Sequence, residues 1–117
     1  MRRDFTYIDD IVEGVIRVND QPPEPPDTYF GDAPFRVYNI GNDEPVELDV
    51  LIETLEKYLG KKAIRNLKKM HPADVLESHA DTSDLQKYFG FKPHTPLDVG
   101  VERFVMWYKK FTCERNL

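Results

Sequence analysis

The stretch Arg3-Asp4-Phe5-Thr6-Tyr7-Ile8-Asp9-Asp10 decides how the chain is organised. Phe5 and Tyr7 alternate with polar residues, which is typical of a short extended segment with one buried face. From Ile8, apolar residues recur at helical spacing, and two aspartates fall in the first turn, where exposed amide groups and the helix dipole favour carboxylates. The pattern therefore predicts an extended arm that becomes an amphipathic helix at Ile8.

The arginine of this arm is the first candidate for a ligand contact. A guanidinium group is a rigid fork of donors that matches a phosphate, and the junction between an arm and a helix can hold it toward an anion. Arg3 is therefore a candidate anion-binding residue. The alternative is that Arg3 forms a surface ion pair with Asp4 or another neighbouring acid.

Length and charge exclude several classes of protein. The chain has 117 residues, enough for one domain with a modest core, and 16 Lys and Arg against 21 Asp and Glu give a net charge of -5. The basic residues are scattered, which excludes nucleic acid as a primary partner. The strongest apolar run, 104–108, is too short to cross a membrane, and the single cysteine, Cys113, excludes an internal disulfide. We expect a soluble, cytoplasmic protein.

Hydrophobic periodicity predicts a helix-dominant chain. The helices fall at about 8–19, 48–59, 82–89 and 96–111. Alternating β-forming residues predict a strand at 35–40, and residues 62–70 can form a short edge strand guarded by lysines. Residues 21–34 form a proline-rich loop, in which clustered prolines forbid a helix. The expected fold class is α+β, a helix-dominant small lobe with a few short strands.

The last helix carries the most extensive apolar surface. Its buried stripe is expected to consist of residues at helical spacing, namely Leu97, Val101, Phe104, Tyr108 and Phe111. Val105 and Trp107 lie outside this stripe and widen the apolar arc. The helix can therefore contact other material on more than one side.

The residues lack the patterns of common catalytic, cofactor and metal sites. The six glycines stand singly, so neither a dinucleotide fingerprint nor a Walker loop is present, and the three histidines lack zinc-site spacing. Tyr58 with Lys62, and Tyr88 with Lys92, match Tyr-x-x-x-Lys, but a glycine inside each pair is expected to end the helix before the lysine. We expect both tyrosines in the core, and no catalytic, cofactor-binding or metal-binding residue.

Five segments nevertheless occur in an order that is typical of one enzyme family. They are Arg3-Asp4-Phe5-Thr6-Tyr7-Ile8-Asp9-Asp10, Tyr38-Asn39-Ile40-Gly41-Asn42 followed by Pro45-Val46-Glu47-Leu48, Pro72-Ala73-Asp74-Val75, Ala80-Asp81-Thr82-Ser83 and Phe89-Gly90-Phe91-Lys92-Pro93. Residues 2–112 closely resemble the C-terminal part of the NAD-dependent sugar-nucleotide epimerases and dehydratases, the extended short-chain dehydrogenase/reductase family. Within that family the resemblance is greatest to the UDP-glucuronate 4-epimerases.

The resemblance implies roles for two residues of a substrate-binding region. Arg3 matches the family arginine that binds the diphosphate of the nucleotide sugar, and Asp74 matches the acid that approaches the nucleotide ribose. Ala73 stands where the family motif usually has glycine, and His71 stands where many relatives have arginine. With these two departures, the resemblance does not assign a residue to a second phosphate contact.

The resemblance also implies an activity and a missing part. In the family, the glycine-rich NAD loop and the helical Tyr-x-x-x-Lys lie in a longer preceding segment, so residues 1–117 are expected to be a C-terminal fragment without the NAD-binding Rossmann region. With NAD as cofactor, the full-length protein would interconvert UDP-glucuronate and UDP-galacturonate at C4, whereas the fragment would be inactive. The alternatives are a 4,6-dehydratase or decarboxylase fragment, or a non-catalytic binding or interaction module.

A missing Rossmann region would leave apolar surface uncovered. We expect this surface to include Val105, Trp107 and the arm at 3–7. The expected partners are therefore a UDP-sugar, the missing region and a second copy of the chain, with a paired or exchanged arm in a homo-oligomer.

Overall fold

Four helices dominate the computed structural model, which describes residues 1–24 and 34–115. They are α1 (Ile8–Asp20), α2 (Leu48–Leu59), α3 (Ser83–Phe89) and α4 (Leu97–Arg115). Each lies where periodicity predicts a helix, and the helix-dominant α+β fold is confirmed. Most of the proline-rich loop predicted at 21–34 lies outside the described residues, since these omit 25–33.

Two very short strands join the arm to the segment before α2. β1 (Arg2–Arg3) pairs antiparallel with β2 (Val46–Glu47), and Arg3 lies opposite Val46. Arg2 also forms a parallel bridge with Glu77. The arm therefore lies between two segments that are distant from it in sequence.

The strand predicted at 35–40 is wrong, because this stretch forms no strand with any described residue. Its alternation reflects side-chain packing and not strand pairing. Tyr38 and Ile40 pack against the buried cluster of the core. Val37, which precedes Tyr38, points away from this cluster and is 62% exposed. The edge strand predicted at 62–70 is wrong too: these residues are exposed, and none belongs to a strand.

The core is small and consists of two parts. Leu85, Phe89 and Phe91 form the first part, against which Val18 of α1 packs. The second part belongs to α4, which packs against α2. A buried carboxylate connects these regions, since Asp10 of α1 accepts a hydrogen bond from the backbone N–H of Thr95, just before α4, at 3.0 Å.

The buried stripe predicted for α4 is only partly right. Val101 is buried, but Phe104, Tyr108 and Phe111 are 50%, 45% and 40% exposed. Val105, which was expected to be exposed, is 2% exposed, so that expectation is wrong. The apolar arc of α4 is wide enough that periodicity alone does not decide which side is covered.

Hydrogen bonds to α2 explain which side of α4 is buried. Tyr58 of α2 donates to Asp98 at 2.6 Å, and its backbone carbonyl accepts from Lys109 at 2.7 Å. Asp98, Val105 and Lys109 lie on one side of the helix, at spacings of seven and four residues. Because α2 contacts this side near both ends of α4, Val105 is covered, whereas Phe104, Tyr108 and Phe111 stay about half exposed.

Much apolar surface lacks cover within the described part of the chain. Trp107 is 56% exposed, as expected, and α1 exposes Ile8, Val12, Val15 and Ile16. The radius of gyration is 18.3 Å, whereas a compact domain of this length has about 13 Å. None of the described helices combines the length and the apolar character that a membrane span requires.

Candidate functional site

The site predicted from the sequence begins at the arm, and backbone pairing fixes the arm on two sides. The backbone N–H of Arg2 donates to the carbonyl of Leu76 at 2.9 Å, and the carbonyl of Arg2 accepts from the N–H of Ser78 at 3.2 Å. The Arg2 guanidinium also pairs with Glu77 at 3.1 Å. The segment that follows Asp74 is therefore attached directly to the arm that carries Arg3.

The Asp4 carboxylate connects the arm to two further parts of the chain. It accepts backbone N–H groups from Asn42 at 3.1 Å, Asp43 at 3.1 Å, Glu44 at 3.5 Å and Ala80 at 3.2 Å. A carboxylate that accepts several N–H groups forms charge-assisted hydrogen bonds, which are stronger than neutral ones. We call this arrangement, made by Asp4 with residues 42–44 and Ala80, the Asp4 hub.

The hub depends on a glycine. A Cβ at Gly41 would lie 2.4 Å from the Cβ of Ala80 and 2.7 Å from Oδ2 of Asp4. Real Cβ atoms do not come that close to other atoms, so only glycine permits this approach of the two backbones. Gly41 and Asp4 belong to two separate sequence motifs, and their contact could not be seen from the sequence.

The Arg3 guanidinium makes one hydrogen bond within the described residues. Its Nη1 donates to the backbone carbonyl of Arg2 at 2.9 Å, and no ion pair joins it to another described residue. Its neighbour Asp4 is engaged by backbone N–H groups instead. Within residues 1–24 and 34–115, the alternative of a surface ion pair for Arg3 is therefore not observed.

Asp74 lies in an exposed turn. Its backbone N–H donates to the carbonyl of His71 at 2.9 Å, and the N–H of Ala73 donates to Nδ1 of His71 at 3.1 Å. The turn ends two residues before Leu76, the residue that accepts from Arg2. The pairing of 76–78 with the arm thus places Asp74 and Arg3 on adjoining segments, and His71 shapes the turn that carries Asp74.

A second charged cluster lies beside the hub, and the sequence analysis missed it. Asp43, at φ 60°, lies 2.5 Å from Nε2 of His79 and 3.1 Å from Nζ of Lys92. The hydrogen bond with His79, and then that with Lys92, holds the pKa of the Asp43 carboxyl below its usual value. The turn sequence Gly41-Asn42-Asp43 was the available signal, because Asp tolerates a left-handed conformation better than most residues.

The two Tyr-x-x-x-Lys matches are not catalytic pairs. α2 ends at Gly60 and α3 ends at Gly90, each in the left-handed conformation, so both helices stop before the lysine, as predicted. The Tyr58 hydroxyl binds Asp98, which raises the pKa of Tyr58, whereas Lys62 binds Glu56 at 2.6 Å. The expectation that Tyr88 lies in the core is wrong, since it is 39% exposed.

Two concave surfaces adjoin the arm. An apolar groove of about 410 Å³ lies between the arm, α2 and α4, with Tyr7, Leu51 and Phe104 in its lining. A polar pocket of about 300 Å³ lies next to the hub and includes Thr6, Asn39 and His79. In the described residues, no group of three or more His, Cys, Asp or Glu side chains is placed to hold a metal ion.

Comparison with known proteins gives sequence and structural relatives, although no protein-family profile matches the chain. A probable UDP-glucuronate 4-epimerase of Rhizobium meliloti (strain 1021) is 44% identical over 117 aligned positions, which cover 92% of this chain and 34% of that protein. UDP-glucuronate 4-epimerase 1 of Arabidopsis thaliana is 41% identical, and the match covers 95% of this chain and 27% of that protein.

A solved structure of a UDP-glucuronic acid 4-epimerase has a similar fold over most of this chain. The crystal structure of UDP-glucuronic acid 4-epimerase from Bacillus cereus, in complex with UDP-glucuronic acid and NAD, matches 92% of this chain with a TM-score of 0.74 and 29% identity. The chain is similar to the C-terminal part of the UDP-glucuronate 4-epimerases. It spans about one third of the length of the first curated relatives that it matches, and 32% of the Bacillus cereus chain.

Proposed function

We propose that this chain is the nucleotide-sugar-binding part of an NAD-dependent epimerase that interconverts UDP-glucuronate and UDP-galacturonate at C4. The observation that carries the proposal is the similarity to UDP-glucuronate 4-epimerases over nearly the whole chain, in both sequence and structure. The arrangement of the arm supports it, because a cation and an acid lie on adjoining segments at the surface.

Arg3 is the proposed ligand of the diphosphate. The guanidinium has five N–H donors, and only one contact, to the Arg2 carbonyl, is made within the described residues. A diphosphate carries two negatively charged tetrahedral phosphate groups, and the planar arginine fork can bind a pair of phosphate oxygens with two parallel hydrogen bonds. Arg2 is unsuited to that role, since its guanidinium binds Glu77 and the carbonyl of Pro45.

Asp74 is the proposed contact of the nucleotide ribose. An ionised carboxylate accepts hydrogen bonds and can therefore bind a sugar hydroxyl. The N–H groups of Ala73 and Asp74 bind His71, so the turn holds the backbone while the carboxylate remains exposed. Attachment of 76–78 to the arm would keep this acid near the diphosphate contact.

The isolated chain should lack turnover. When bound, NAD supplies the acceptor and donor of the hydride that leaves C4 and returns to it, and no side chain replaces that chemistry. This chain has no glycine-rich phosphate loop, so NAD would be held by the remaining part of a full-length enzyme. The role that we propose for the described residues is to bind and orient the nucleotide sugar.

We also propose that the exposed apolar faces drive self-association of the isolated chain. Ile8, Val12, Val15 and Trp107 lie on two helices that leave much of their apolar surface open. A second copy can cover such faces, with the arms paired or exchanged. Sedimentation at increasing concentration should show dimers or larger species, and a strictly monomeric chain at high concentration contradicts this proposal.

The binding proposal is tested by separate NMR titrations of the chain with UDP-glucuronate and with NAD. We expect weak shifts near Arg3 and Asp74 with UDP-glucuronate, and no saturable binding of NAD. Arg3→Ala in a full-length protein should weaken nucleotide-sugar binding by about 1.5–3 kcal/mol, the scale of a hydrogen bond to a charged group.

Arg65→Ala is the matched control for the arginine. The Arg65 guanidinium is already paired with Asp49 at 3.1 Å, so its loss should leave binding unchanged. UDP-glucuronate shifts that avoid Arg3 and Asp74 would refute the site assignment. Saturable NAD binding by the isolated chain would refute the proposal that NAD is held by the remaining part of a full-length enzyme.

A further inference from the structure

We propose that Asp4 is the positioning residue for Arg3, and that its carboxylate fixes the arm so that the Arg3 guanidinium faces the diphosphate of the nucleotide sugar. This inference rests on the proposed function of Arg3. It assigns a role to the residue whose side chain has the most backbone partners near the arm.

The alternation of side chains along the arm sets the direction of Arg3. Neighbouring side chains on an extended segment point to opposite sides. Asp4 points toward the loop at 42–44 and toward Ala80, where its oxygens accept N–H groups. Arg3 therefore points away from that loop. Fixing the Asp4 side chain thus determines the direction in which the neighbouring arginine leaves the backbone.

Apart from Asp4, Arg3 has little support. Strand β1 contains only Arg2 and Arg3, and the guanidinium of Arg3 has one hydrogen bond, to the carbonyl of Arg2. A two-residue strand pair is too short to hold a long side chain by itself. The hub adds charge-assisted hydrogen bonds on the C-terminal side of Arg3, so the residue is held from both directions.

The negative charge of Asp4 is engaged by backbone donors and not by Arg3. An aspartate beside an arginine ordinarily competes with a phosphate for the guanidinium. Here both Asp4 oxygens accept backbone N–H groups, Oδ1 from Asn42 and Oδ2 from Asp43 and Ala80. The carboxylate is occupied by these donors. Asp4 therefore orders the arm without forming an ion pair with Arg3 within the described residues.

An arm that is ordered before binding also favours affinity. Ordering a long side chain during binding reduces affinity, whereas a residue that is already ordered avoids this cost. The hub also joins Ala80, which follows the segment of Asp74, to the arm. One carboxylate thus holds both sides of the proposed nucleotide contact in a fixed relation.

The first experiment measures the order of Arg3 in the free chain by ¹⁵N relaxation. Asp4→Asn replaces one acceptor oxygen by an NH₂ group that faces N–H donors, so at least one side of the hub is lost. We expect the order parameter of the Arg3 amide to fall from about 0.85 toward the flexible range below about 0.6. Asp9→Asn, in the exposed first turn of α1, is the matched control and should leave it unchanged.

The second experiment is a double-mutant cycle read by titration with UDP-glucuronate. Asp4→Asn should weaken binding by about three- to tenfold. In a chain that already carries Arg3→Ala, Asp4→Asn should change affinity by less than about twofold, because a residue that acts through Arg3 has nothing left to position. A purely structural role would weaken both backgrounds equally, and that result overturns the inference.

The outcomes separate the two proposals. An Arg3 amide that stays rigid in Asp4→Asn overturns the inference, and it leaves the proposed function intact if Arg3→Ala still weakens binding. An Arg3→Ala chain that binds UDP-glucuronate like the parent overturns the proposed contact and, with it, the positioning role. If Asp4→Asn does not fold, Asp4→Glu is measured in the same way, since it keeps the charge but displaces the carboxylate.

Discussion

Gly41→Ala is the substitution that should disrupt the arm most strongly without removing any polar group. The new Cβ would lie 2.4 Å from the Cβ of Ala80 and 2.7 Å from Oδ2 of Asp4. The Ala80 Cβ is attached directly to the backbone, and the Asp4 carboxylate is held by several N–H groups. Neither atom can move aside unless the hub separates.

The size of the effect follows from these distances. Carbon atoms pack at about 3.5–4.0 Å, so the backbones at Gly41 and Ala80 must separate by more than about 1 Å. The hydrogen bond from Ala80 to Asp4, at 3.2 Å, would then break. Overpacking costs about 1–3 kcal/mol, and a lost hydrogen bond to a charged group about 1.5–3 kcal/mol. We expect the free energy of unfolding to fall by about 3–5 kcal/mol.

Urea unfolding followed by circular dichroism at 222 nm measures this loss. Gly100→Ala is the matched control, because its Cβ would meet the ring of Tyr7 at 3.1 Å and a side chain can shift. Gly100 also lies inside α4, where alanine gains about 1 kcal/mol of helix propensity. The control should stay within about 1 kcal/mol of the parent. If Gly41→Ala is no more destabilising than Gly100→Ala, the steric reasoning is wrong.

Three further substitutions test the core and the charged clusters. Leu85→Ala, at a fully buried position, should lower the free energy of unfolding by about 2–5 kcal/mol in the same assay, and a loss below about 1 kcal/mol would contradict the assigned core. His79→Ala should raise the pKa of Asp43 toward 3.8, as measured by ¹³C NMR of the carboxyl group. In the parent, the ionised Asp43 stabilises the fold above its unfolded pKa, and this stabilisation is lost as the pH falls through the lower folded pKa. The hydrogen bond to Asp98 raises the pKa of Tyr58, so this bond stabilises the fold below the unfolded pKa of 10.0 and its contribution is lost as the pH rises. Tyr58→Phe should therefore reduce the loss of stability above pH 10. An unchanged dependence of stability on pH in the alkaline range would count against that bond.

Local signals in the sequence were enough to predict the helices. Gly60 and Gly90 both end helices in the left-handed conformation, and periodicity placed every described helix within a few residues of its observed bounds. These signals lie within one or two turns of chain, so the sequence states them directly. The prediction of a strand at 35–40 was wrong because it also rested on a local signal. Alternation indicates one buried face, but it does not show whether a neighbouring strand is present to pair with.

The candidate site was predicted only in part. The arm follows from local spacing, and its Arg2 is hydrogen-bonded to residues 76 and 78. The ligand roles of Arg3 and Asp74 stay predictions. The role of Asp4 could not be predicted, since its N–H partners lie 38 to 76 residues away in the sequence. For α4, the sequence shows an apolar arc, and only the position of α2 decides that Val105 lies inside it.

The separation between Asp4 and Ala80 also has a consequence during protein synthesis. Asp4 is made 76 residues before Ala80, and at about 5–20 residues per second a ribosome needs about 4–15 s for that distance. Throughout this interval the arm is translated but lacks its final backbone donor. The proposed exchange of arms between two copies of the chain should therefore be favoured by slow translation between residues 44 and 80.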